Sequence, residues 1–110
     1  MALPDKVIVG ALVYEVVSDA VAYAQAVVDH NEQVWGRVHH DAGKIILDPK
    51  QAEQHKRVTL LHECLHACWH VTDPADPHDA EEMAIRTLSG PLLDMLRRNP
   101  ALVAYLLAED

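Results

Sequence analysis

An α+β domain is the fold that this 110-residue chain predicts, and three features of its order predict it. Residues 7–17 are rich in Val, Ile and Tyr, the composition of strands. A long stretch after Asp48-Pro49 has helical composition, and two more helical segments follow. Strands first and helices later argue for a small antiparallel sheet packed on helices rather than a βαβ alternation. At this length the chain reads as one domain over residues 1–110, with a single modest core.

The elements follow in order. Residues 7–17 form one strand or a hairpin broken near Gly10. The segment 19–34 is Ala-rich and opens on a plausible cap, Ser18 or Asp19, which favours a helix. The run GRVHHDAGKIILD predicts a hairpin: strand 36–39, a turn at Asp41-Ala42-Gly43, and strand 44–48. Asp48 then caps a helix with Pro49 at its first position, running to about His70. The stretch TDPADP stops it, because its prolines lack amide donors. A third helix starts near Pro77 or His78 and runs to Arg98, with a kink expected at Gly90-Pro91. Asn99-Pro100 opens a short last helix to about Ala108. The Leu series at 88–106 is expected in the core.

Composition excludes some partners. The formal charge is −8, which disfavours a phosphate-binding surface, so no nucleic-acid partner is expected. The apolar run VIVGALVYEVV is too short to span a bilayer and lacks the flanks of a signal peptide. Cys64 and Cys68 sit one helical turn apart, at roughly 6 Å between Cβ atoms, too far for a relaxed disulfide. They read as reduced thiols of a cytoplasmic protein facing the core.

The chemistry is concentrated in VTLLHECLHACWH, residues 58–70. On a helical wheel His62, His66 and His70 share one side with Thr59 and His55. Apolar residues fill most of the remainder, so the helix is expected to be buried, its histidine stripe facing something that wants imidazole. His62-Glu63-Cys64-Leu65-His66 fits H-E-x-x-H. Two imidazoles one turn apart project in parallel and can bind one ion at about 2.0–2.1 Å each. The glutamate on their flank can take a proton from water without ligating the metal. His70 lies roughly 12 Å along the axis from His62 and cannot share its ion. The third ligand must then come from the next helix, where His78, Asp79, Glu81 and Glu82 are the candidates.

This arrangement resembles small gluzincin-type metallopeptidases, and most closely the ImmA/IrrE-like proteins and related short phage or prophage proteins. In that family a glutamate opens a helix of pattern E-x-x-A-N-x-F-A-x-x-L-L. Laid over this chain from Glu82, the pattern places its double leucine on Leu92 and Leu93; started at Glu81, it loses them. Arg86 stands where the family has Asn. The likeness covers roughly residues 36–98 and implies Zn²⁺ held by His62, His66 and Glu82, with Glu63 as the catalytic base. It implies a minimal zincin-like hydrolase, a metalloprotease cleaving a peptide or a narrow protein substrate. It also gives strand 36–39 or 44–48 a role in pairing with an extended peptide. The rival expectation is a non-catalytic, phage- or defence-associated binding module with a structural zinc, closed by a fourth protein ligand. Around the motif, His39, His40, Tyr14 and Tyr23 are weighed as oxyanion stabilisers against plain surface roles. His70 is weighed as a supporting group, Arg86 as a partner orienting Glu82, and Trp69 as core or pocket wall.

Overall fold

The computed structural model describes residues 2–31, 33–72 and 80–109, without the side chains of Glu81, Glu82, Ile85 and Arg86. Its elements are β1 (Lys6–Val9), β2 (Leu12–Val17), α1 (Ala20–His30), β3 (Gly36–His39), β4 (Lys44–Leu47), α2 (Glu53–Thr72), α3 (Ala80–Arg98) and α4 (Pro100–Leu107). The α+β class stands as expected. The sheet, expected to be antiparallel throughout, is mixed, with strand order β1-β2-β4-β3. The β1–β2 and β3–β4 hairpins are antiparallel, while β2 runs parallel to β4, Val16 opposite Ile45. The reason is the connection: α1 carries the chain across the sheet after β2, so the second hairpin presents its returning strand to β2.

Local chemistry sets the element ends. Asp19 caps α1 by accepting from the Ala22 amide at 2.7 Å, and Asn31 ends it in the left-handed conformation. Gly10 and Gly43 turn the two hairpins at positive φ. A Cβ on Gly43 would also stand 2.9 Å from the Val13 carbonyl oxygen.

One helix expectation needs correcting. The second helix begins at Glu53 rather than at Pro49, because Asp48 caps a turn instead: its Oδ1 accepts from the Lys50 amide at 2.9 Å. The Gln51 amide completes that turn by donating to the carbonyls of Asp48 and Trp35. The third helix holds Gly90-Pro91, where the kink is expected, within its length. Its expected start at Pro77 or His78 lies outside the described residues.

The core lies between the sheet and α2, α3 and α4. Val7, Val9, Tyr14, Ile45 and Leu47 meet Leu60, Cys64, Ala67, Cys68, Met95, Leu102 and Tyr105, all fully buried. Leu88, Leu92, Leu96 and Leu106 pack against this cluster, whereas Leu93 is exposed. On the opposite face Ile46 meets Ala26 of α1. Asn99 fastens the outer strand β1 to the helices. Its side chain accepts from Ile8 N at 2.8 Å and donates to Ile8 O at 2.9 Å and Met95 O at 2.7 Å. The amide thus answers both main-chain groups of Ile8 as a neighbouring strand would. No helix among the described residues is long and apolar enough to cross a membrane.

Candidate metal centre

Helix α2 lies against the sheet with one face only. Arg57, Thr59, Leu60, Glu63, Cys64, Ala67 and Cys68 are its buried residues. His62, His66 and His70 are exposed, as are Val58 and Leu61. The expectation of a helix buried nearly all round is therefore corrected: the histidine stripe faces outward, open to solvent and to ligands.

Within that stripe His62 Nε2 and His66 Nε2 stand 3.1 Å apart. Two nitrogens that share a tetrahedral zinc ion at about 2.0–2.1 Å each are separated by about 3.3 Å. The pair is therefore spaced to receive one ion. Glu63 joins them: its Oε1 is 3.9 Å from His62 Nε2. Among the described residues His62, Glu63 and His66 form the one group of three or more ligating side chains close enough to hold a metal. The chain's net negative charge further favours a cation here.

Glu63 differs from its two neighbours in burial, being only 6 % exposed. Desolvation pushes its carboxyl above the usual carboxylate range, and the nearby His66, His62 and Arg37 side chains oppose that rise. The main chain of Val38 also hydrogen-bonds the carboxylate. That contact has a geometric origin. Trp35 and Asp48 are joined by an Asp48 N–H to Trp35 carbonyl bond. Alternation along the β3–β4 pair then turns the main-chain groups of Gly36 and Val38 away from β4. They point off the sheet edge, where Glu63 stands. Gly36 makes the approach possible: a Cβ there would sit 2.6 Å from Thr59 Cγ2 and 3.4 Å from Glu63 Cγ.

The surrounding residues fall as follows. His39 and His40 are half-buried rather than exposed turn residues. The His40 ring stacks on His70 at 3.8 Å between centroids, and Tyr14, fully buried, places its hydroxyl 2.9 Å from His40 Nδ1. His39 packs against His30, and its Nε2 is buried with no hydrogen-bond partner among the described residues. Tyr23 donates to the Val34 carbonyl. Trp69 is half-buried. Cys64 and Cys68 are free and buried, and burial pushes the Cys64 thiol up to about 12. A thiol so held is not a thiolate ligand or nucleophile at neutral pH. The side chains of Glu81, Glu82 and Arg86 lie outside the described residues, as do His78 and Asp79 entirely, so no third ligand is placed. Glu81 and Glu82 belong to the first turn of α3, which packs along α2. The role of Val38 escaped the sequence reading, because a main-chain contact leaves no residue-type signature.

Burial lowers the pKa values of both His39 and His40, with His30 adding to the effect at His39 and His70 and His66 at His40. Below an unfolded value of about 6.5 the unfolded chain then binds more protons than the folded one. Their contribution is complete above that pH and is lost as pH falls through the lowered folded values. The melting temperature is expected to drop between pH 7.5 and 5, and less so in a His39→Gln/His40→Gln variant. An equal drop in both proteins would remove the assignment.

No family model, curated protein or solved structure matches this chain.

Proposed function

We propose that the chain is a metal-dependent peptide hydrolase, a small H-E-x-x-H enzyme of the gluzincin type resembling the ImmA/IrrE-like proteins. One observation carries the reading: two solvent-facing imidazole nitrogens 3.1 Å apart flank a carboxylate that is buried. His62 and His66 would hold the ion, zinc being the expected one, with Glu82 or Glu81 of α3 as the third ligand. When bound, the metal polarises the substrate carbonyl and acidifies water.

The chain's own groups supply the rest. Glu63 takes the proton of the attacking water and returns it to the leaving amine. Its burial suits that task, because a carboxylate with a raised pKa is a stronger base and keeps the proton longer. The Val38 main chain and the α2 backbone fix its position, which limits its motion during transfer.

The test is the Glu63→Gln variant of protein purified without a histidine tag. Wild type is expected to carry about one zinc per chain and to cleave peptide bonds in a protein library read by mass spectrometry. The variant should keep its metal and lose at least about a hundredfold in turnover, the low end for a general base. Full activity in the variant, or wild-type protein that takes up no zinc, would rule the reading out. Zinc retained with no cleavage by wild type would point instead to a binding module with a structural ion.

A further inference from the structure

A cleft of about 330 Å³ opens directly beside His62 and Glu63, between the start of β3 and the first half of α2. Val34, Trp35, His55 and Val58 wall it, and Gly36 and Thr59 lie at its base. Ligand pockets span roughly 300–1,000 Å³, so this one suits a single bulky side chain. Its two principal apolar walls are unusually open for their type: Trp35 is 56 % exposed and Val58 64 %.

The Trp35 wall is nonetheless held firmly. Its carbonyl accepts from Asp48 N at 2.9 Å and from Gln51 Nε2 at 3.0 Å. Its indole meets the His55 ring edge-on at 4.6 Å, and His55 Nδ1 is in turn 2.7 Å from Gln51 Oε1. A wall already fixed loses little freedom when a ligand arrives. The cleft is also continuous with the β3 edge, because Gly36 belongs to both. A strand laid along that edge would project alternate side chains, and one beside Gly36 would enter the cleft.

We propose that this cleft is a side-chain subsite in which Trp35 and Val58 select a bulky apolar residue, Phe or Leu, of an extended peptide. The inference rests on the hydrolase reading for its place beside the reacting bond, but its binding test does not. Trp35 acts here as a specificity-determining residue and takes no part in the chemistry. Acidic side chains are disfavoured, since the Trp35 and Val58 walls offer a carboxylate no charged partner.

Glu63→Gln protein, with and without added zinc, provides the assay. The chain has two tryptophans, so an ¹⁵N-labelled sample gives two indole N–H signals, one from Trp35 and one from Trp69. The probes are blocked octapeptides of Gly and Ser with one central residue varied among Phe, Leu, Ala and Asp. Phe and Leu peptides should shift the Trp35 signal and bind at least about tenfold more tightly than Ala and Asp peptides, the scale of apolar side-chain discrimination. Trp35→Ala, followed by backbone amide shifts around Val58, should erase that preference while leaving zinc content unchanged. Val58→Asp should weaken Phe and Leu peptides most. Equal affinities across the series, no Trp35 shift up to millimolar peptide, or a preference that survives Trp35→Ala would each overturn the proposal. Failure of the hydrolase reading shows separately, as wild type that cleaves nothing while the Phe preference persists.

Discussion

Zinc uptake should vanish when His62 and His66 are both replaced by alanine, with the fold left intact. Both side chains are exposed, and exposed substitutions away from special features usually change stability within about 0.5 kcal/mol. Metal binding would depend on them fully, because their two nitrogens are the converging donors among the described residues. The expected measurement is a fall from about one zinc per chain to none by elemental analysis. The loss should also appear in thermal melts. Zinc at a hundred times its dissociation constant stabilises a folded protein by about 2.7 kcal/mol. That metal-dependent rise should disappear in the double variant, while the metal-free melting temperature stays within a few degrees of wild type. A double variant that still binds one equivalent would move the site elsewhere.

The second large effect is expected at Gly36. A Cβ there would meet Thr59 Cγ2 at 2.6 Å and Leu47 Cδ2 at 3.2 Å. Thr59 cannot easily yield, since its hydroxyl donates to Gln51 Oε1 at 2.8 Å and lies 3.0 Å from the His55 carbonyl. Overpacking of this kind costs about 1–3 kcal/mol, and β3 must shift away from α2 to relieve it. That shift carries Val38 away from Glu63. Gly36→Ala should therefore lower the denaturation midpoint and also reduce turnover per folded molecule, while zinc content stays near wild type. An alanine variant with unchanged midpoint and turnover would show that β3 does not set the position of Glu63.

Much of this arrangement is legible before any coordinates. Asp19 and Gly43 each announce an element boundary through short-range chemistry that tertiary structure then leaves alone, and Pro100 opens α4, although the Asn99 side chain is drawn to Ile8 and Met95 instead of capping that helix. His62, Glu63 and His66 are legible for the same reason: a helix brings i and i+4 together whatever surrounds it. Other features depend on distant partners. The parallel β2–β4 contact follows from where α1 takes the chain, which no local pattern encodes. The wheel of α2 is apolar on several sides, so it cannot say which side meets the sheet. Val58 and Leu61 turn out to face solvent, and the histidines lie beside them. Asp48-Pro49 looks like a helix start, yet the Gln51 amide tips the balance toward a turn by bridging Trp35 and Asp48. The stacking of His40 on His70 joins residues thirty positions apart, beyond the reach of any periodicity.

The anchoring of Ile8 by Asn99 has a consequence for assembly. With both main-chain groups of Ile8 already answered by a side-chain amide, a fifth strand laid along β1 would find no partner at that position. The side-chain amide thereby works against edge-to-edge pairing of β1 between copies of the chain.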